Sequence, residues 1–171
     1  MIKLIGAAII ILVTTWAGFE AAKHLALRPK QLRQIKLALQ SLEAEIMYGQ
    51  TPLQDAARKL SKLVPMPLSL FFESFSSLLA SGNTTVKQAW EESLERVWGL
   101  MALKQGEFEI LVQFGETLGR HDRHHQQKQI LLTLTHLERE EAEAIDRQLK
   151  YEKMMKSLGF LSGLLLTLLL L

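Results

Sequence analysis

The chain has no cysteine, so a disulfide framework and a cysteine-based zinc site are both excluded. Proline is scarce, at four among 171 residues, and from about Asp122 onward there is none. Glycine is also missing over that stretch until Gly159. Charge is nearly balanced at +2, which removes bulk electrostatics as a case for nucleic acid. No GxxxxGK[ST] phosphate loop, GxGxxG fingerprint, GxSxG elbow or HExxH pair occurs. Nothing in the sequence argues for an enzyme, and no cofactor is expected. Leu, Ala, Glu, Lys and Gln dominate, a composition that favours helices throughout.

Where breakers are missing, a periodic stripe appears. Ile130, Leu134, Leu137, Glu141, Ala144, Gln148, Tyr151, Met155 and Leu158 alternate in steps of four and three. That spacing is one face of a long helix with a coiled-coil-like repeat. It runs on into LGFLSGLLLTLLLL, an apolar end of fourteen residues from Leu158, or ~21 Å of helix. The whole helix, of roughly fifty residues, measures ~75 Å at 1.5 Å per residue. A rod that starts polar and ends apolar reads as a soluble helix continuous with a membrane anchor.

The other end is apolar as well. Leu4 to Phe19 holds sixteen uncharged residues, ~24 Å of helix against a hydrocarbon core of ~30 Å. A secretory signal peptide with Lys3 as its basic region is one reading. No convincing small-x-small cleavage site with a mature start follows, so an uncleaved membrane helix is the preferred reading, with Trp16 at the interface. Lys23, Arg28, Lys30, Arg33 and Lys36 follow the first apolar run, and Lys150, Lys153 and Lys156 precede the last. Only Lys3 lies on the far side. The positive-inside rule therefore places the middle of the chain in the cytoplasm.

Between the anchors the pattern is helix and short turn. Pro29 suits a first helical turn, and Leu32, Ile35, Leu39, Leu42 and Ile46 then line one face up to Gly49. Arg33 and Lys36 come early in that helix and Glu43 and Glu45 late, against its dipole. Either the basic end sits near anionic lipid heads, or the two carboxylates are presented to a partner. Thr51 and Pro52 read as an N-cap and first position, followed by Leu53, Ala56, Ala57, Leu60 and Leu63 on one side. Pro65 and Pro67 end that helix. Leu68, Phe71, Phe72, Phe75, Leu78 and Leu79 make the next, stopped at Ser81-Gly82. Asn83 or Thr84 is expected to cap a helix with Val86, Trp90, Leu94, Val97 and Met101 inward. Trp90 and Trp98 read as core aromatics. After a turn at Lys104-Gln105-Gly106 comes EFEILVQFGETLG, in which a buried Gly115 admits a close neighbour and Gly119 stops the helix.

The fold class is thus all-α. About six helices form a compact cytoplasmic bundle, 28–157, between a membrane helix at 1–27 and a membrane segment at 158–171. One cluster has catalytic colour, RHDRHHQQK at 120–128. His121, Asp122 and His125 could hold a metal in a membrane-anchored sensor domain. The plainer reading is a solvated helix start with Asp122 as its cap. His136 reads as partly buried. EREEAEAID, 138–146, reads as a solvated flank, with a helix-pairing contact at Glu141 as the alternative.

Four strings carry a resemblance: KLIGA with TTWAGFE, LEAEIMYGQTPL (42–53), FGETLGRHD (114–122) and EKMMKSLGFLSGLLL (152–166). Over essentially the whole chain the sequence resembles the stage III sporulation protein AB family of spore-forming bacteria. The resemblance implies a membrane protein of the mother cell, in the outer forespore membrane, within the channel assembly that links the two cells. That family looks like the cytoplasmic domain of the inner-membrane platform proteins of type II secretion and type IV pilus machines. Those platforms carry two such domains and work with a hexameric ATPase. The implied partners are a stage III sporulation protein AA-like ATPase, other membrane proteins of the channel and lipid. A homo-oligomer is left open. The expected docking surface is Glu43, Glu45, Gln50 and Thr51 with Glu116, Arg120 and Asp122. Against it stand simpler roles: Thr51 and Asp122 as caps, Glu116 as a partner of Arg120.

Overall fold

Pro29 does not begin a helix. In the computed structural model, α1 runs unbroken from Ile2 to Met47 with Pro29 inside it. The sequence predicts two helices here, and the structure joins them. An interior proline forfeits the hydrogen bond to the carbonyl four residues back and crowds that carbonyl, at ~3 kcal/mol. Here its ring is buried, and Ala22 before it and Leu32 after it are buried too. Burial of Leu32 alone contributes ~1.5–3 kcal/mol, and Ala22 and the proline ring add smaller amounts. Packing on both sides therefore holds the helix through a residue that would otherwise break it.

The backbone is described for residues 2–49, 51–119 and 123–170. Side chains are described at these positions except 2–5, 7, 8, 21, 24, 123–126 and 170. After α1 come α2 (Leu53–Leu63), α3 (Leu68–Ser81), α4 (Val86–Trp98), α5 (Gln105–Thr117) and α6 (Arg123–Leu170). Among the described residues there is no strand. The chain divides into two compact units, Lys30–Glu141 and the pair Met1–Pro29 with Ala142–Leu171.

The Lys30–Glu141 unit is built around Trp90. Its ring meets Phe71, Phe75 and Phe114 edge-on at centroid separations of 4.7, 5.2 and 5.2 Å. Its indole Nε1 donates to the Leu111 carbonyl at 2.8 Å, which satisfies its one polar atom inside the core. Gly115 lies under the ring, where an added Cβ would stand 2.3 Å from Trp90 Cδ1. The close approach expected at Gly115 is thus a tryptophan from α4. Leu32, Ile35, Leu39 and Leu42 of α1 and Ile130, Leu134 and Leu137 of α6 are buried in the same unit.

The ends of α4 and α5 depart from the sequence reading in three places. Thr85, not Asn83 or Thr84, caps α4. Its hydroxyl accepts from the Gln88 N–H at 3.2 Å while the Gln88 side chain accepts from the Thr85 N–H at 3.2 Å. That reciprocal box selects Thr85 over its neighbours. The expected turn at Lys104-Gln105-Gly106 is already the start of α5. Glu107, fully buried, accepts the Lys104 backbone N–H and pulls the helix start forward. α4 ends at Trp98, so Met101 lies beyond it. The stops at Gly82 (φ 67°) and Gly119 (φ 79°) are left-handed, as the sequence predicts.

In the other unit the two chain segments pack antiparallel through small residues. A Cβ on Gly18 would stand 2.8 Å from the Met155 carbonyl oxygen, and one on Gly159 would stand 2.8 Å from that of Thr14. A Cβ on Gly163 would meet Thr14 Oγ1. The predicted stripe therefore holds as far as Met155, with Ala144 buried and Gln148, Tyr151 and Met155 half-buried, but not to its end. Leu158 is 60% exposed, and Gly159 takes the facing position. Glycine there lets the backbones touch, which leucine would prevent.

Candidate functional site

The expected docking residues do not all fall in described parts of the chain. Gln50, Arg120 and Asp122 lie outside the described residues, as do His121 and the side chain of His125. Glu43, Glu45, Thr51 and Glu116 can be placed.

Glu43, near the end of α1, is half-buried and accepts from Gln127 Nε2 of α6 at 3.0 Å. Glu45 and Thr51 come together. The Thr51 hydroxyl donates to Glu45 Oε2 at 2.6 Å, and Lys59 of α2 reaches both carboxylate oxygens at 3.1 Å. The hydrogen bond from Thr51, then those from Lys59 and its charge, hold the Glu45 carboxyl below its ordinary value. Thr51 is therefore not the N-cap of α2. Pro52 stands at that position with no side-chain cap, because the hydroxyl is spent on a charged acceptor, a stronger bond than a neutral N–H offers. Glu116 on α5 pairs with Lys87 of α4 at 2.6 Å, which raises the Lys87 pKa.

Beside Glu45 the end of α1 and the face of α2 leave an open groove, with Ala44, Tyr48, Lys59, Leu60 and Leu63 among its walls. Tyr48 is 81% and Leu63 76% exposed. Leu63, expected on the apolar side of α2, is thus a solvent-facing wall rather than core. α2 ends at Leu63 and the chain turns away at Val64, and among the described residues that last side chain is left largely uncovered. Exposed large apolar residues beside charged ones are the usual make-up of a contact surface.

A second polar cluster joins α1 to α6 inside the Lys30–Glu141 unit. Glu141 accepts from Arg33 Nε and Lys36 Nζ, each at 2.9 Å, and Lys36 also pairs with Glu138 at 3.4 Å. Burial acts to raise the Glu141 pKa. The hydrogen bonds from Lys36 and Arg33 and their charges outweigh it and hold the carboxyl below its usual value. The stretch read chiefly as a solvated flank thus contains a helix-pairing contact, and its position on the apolar stripe was the signal. It also gives the early basic residues of this helix a partner within the protein. His136, expected to be partly buried, is exposed. Among the described residues no group of three or more His, Cys, Asp or Glu could hold a metal ion.

Among the described residues one helix, α1, is long and apolar enough to cross a membrane. Ile9, Leu12, Val13 and Trp16 are exposed along it. On the apolar end of α6, Leu161, Leu165, Leu168 and Leu169 are exposed too. The sequence pointer that was missed is GFLSG, two glycines four apart at Gly159 and Gly163, the small-xxx-small pattern by which apolar helices approach closely.

Comparison with known proteins gives three matches. The family model described as Stage III sporulation protein AB matches residues 3–171. A protein of Bacillus subtilis (strain 168), Stage III sporulation protein AB, is 57% identical over 170 residues, 99% of each chain. A solved structure of a Stage III sporulation protein AB is similar with a TM-score of 0.70 at 53% identity, covering 72% of this chain and 98% of that one.

Proposed function

This chain belongs to the stage III sporulation protein AB family, and from that premise we propose that it is a non-enzymatic membrane platform of the sporulation channel. Its cytoplasmic helices would receive an ATPase resembling stage III sporulation protein AA. Its two apolar segments would anchor it in the outer forespore membrane on the mother-cell side. The observation that carries this reading is the groove at the α1–α2 turn. Glu45 and Thr51 meet there beside exposed Tyr48 and Leu63. Glu43, Glu45 and Thr51 already have partners within the chain, so their part is to shape and charge the rim. The apolar walls supply the contact area. Glu116 lies in a separate pair and is the weaker candidate.

The test is calorimetry of the full chain in neutral detergent against the ATPase, at low and at high salt. Saturable binding that weakens with salt is expected. Exchanging Glu43 and Glu45 for lysine should abolish it with helicity unchanged, and Tyr48→Ala with Leu63→Ala should weaken it at least ten-fold, about 1.4 kcal/mol. Wild-type binding in both double variants would remove this face from the site. No binding of the wild type at ~100 µM, about 5.5 kcal/mol of affinity, would sink the platform reading itself.

A further inference from the structure

The cations at the polar end of the α1–α6 pair are not equivalent. Lys23 pairs with Glu20 at 3.0 Å, Arg147 with Glu143 at 3.0 Å and Lys156 with Glu152 at 2.6 Å. Arg28 is buried. Lys150 and Lys153 are exposed, and neither makes an ion pair among the described residues. Asp146, one turn back from Lys150, is exposed and makes no pair with it. The Lys150 ammonium stands 5.4 Å from the centre of the neighbouring Tyr151 ring, a contact that leaves its charge uncancelled.

Three residues apart on α6, these two lysines share a face. Next to them Leu149 and Met154 are exposed large apolar side chains. The apolar end of α6 begins at Leu158, five residues on. Uncancelled cations interleaved with exposed apolar groups, just before an apolar helix end, match the depth where headgroups give way to hydrocarbon. There the apolar side chains dip inward and the ammonium groups reach the phosphates.

We infer that Lys150 and Lys153 form a binding surface for anionic phospholipid headgroups. The inference rests on the membrane reading of the α1–α6 pair. A zwitterionic headgroup offers the same phosphate without net charge, so the discriminating quantity is selectivity for anionic over zwitterionic lipid. Each lysine should contribute about a five-fold preference.

The full chain, reconstituted in phosphatidylcholine vesicles, would be probed with spin-labelled phosphatidylglycerol and spin-labelled phosphatidylcholine. The fraction of each probe held immobile at the protein gives the relative affinity. The wild type should favour the glycerol lipid several-fold, less so at high salt. Lys150→Gln with Lys153→Gln should bring the ratio close to one, while Lys23→Gln with Lys156→Gln should leave most of it. Equal affinities in the wild type, or full selectivity in the first double variant, would overturn the inference while leaving the membrane reading intact. A chain that immobilises neither probe and does not float with vesicles would overturn both.

Discussion

Glu141 holds an inward position on α6 that periodicity assigns to an apolar residue. It keeps that place because Arg33 and Lys36 meet it from α1, each at 2.9 Å. A carboxylate so covered is stable only while both hydrogen bonds are made. Its folded pKa lies below the unfolded value of about 4.3. The stability it contributes is therefore complete above that value and is lost as pH falls through the lower folded pKa. Glu141→Gln should cost about 2 kcal/mol near neutral pH, by leaving Lys36 and Arg33 with a poorer acceptor. It should also flatten the decline in stability below about pH 4.5. Thermal melts of both proteins followed by circular dichroism, from about pH 7 to about pH 3, would show it. Parallel acid limbs would mean that other carboxylates carry the acid response. Legibility at this scale divides by the range of the interaction. A core Trp90 and a close approach at Gly115 were each readable from their apolar faces, but that the two meet was not. The choice of Thr85 turns on a hydrogen bond that Asn83, Thr84 and Thr85 offer almost equally, and the burial of Glu107 on its bond from the Lys104 N–H.

At the scale of elements, α3 and its glycine stop were legible because six phenylalanine or leucine positions recur at helical spacing between the prolines and Gly82. α1 was not. Local chemistry favours Pro29 as a first-turn residue, but burial on both sides of it outweighs that preference. α6 was legible in type and length and misread in register at its end, where the repeat continues through Leu158 and hides GFLSG beside it. The corrected register makes a sharp prediction. A Cβ built on Gly163 lies 3.5 Å from Thr14 Cβ, within the range a disulfide bridges. The chain has no cysteine of its own, so Thr14→Cys with Gly163→Cys leaves a single intramolecular pairing. Mild oxidation of the full chain should convert it to a faster-migrating species on a non-reducing gel, reversed by thiol. Thr14→Cys with Leu158→Cys should not respond, because Leu158 faces outward. The opposite pattern would restore the uninterrupted stripe and refute the glycine contact.

For the whole molecule, the cysteine-free background also allows the two-anchor topology to be tested one position at a time. The positive residues flank both apolar segments on the side of the Lys30–Glu141 unit, and only Lys3 lies beyond them. The topology we propose, by the positive-inside rule, puts that unit in the cytoplasm. Tyr48 is exposed in the Lys30–Glu141 unit, so a cysteine there is open to a reagent on its own side, while Gly6 and Leu168 lie toward the outer ends of the two apolar segments. A membrane-impermeant maleimide should label Tyr48→Cys in inside-out vesicles and spare it in intact spheroplasts. Gly6→Cys and Leu168→Cys should be spared in inside-out vesicles. The two arms are independent. Labelling of Gly6→Cys alongside Tyr48→Cys would show that α1 does not cross. Labelling of Leu168→Cys alone would show that α6 ends on the cytoplasmic side while α1 spans. That second result has a physical rationale, since ~21 Å of apolar helix is short for a ~30 Å core. What argues against it is the packing of Gly159 and Gly163 onto α1. An α6 end held against a spanning helix at Thr14 and Gly18 shares its depth, and the exposed leucines around it then have hydrocarbon to meet.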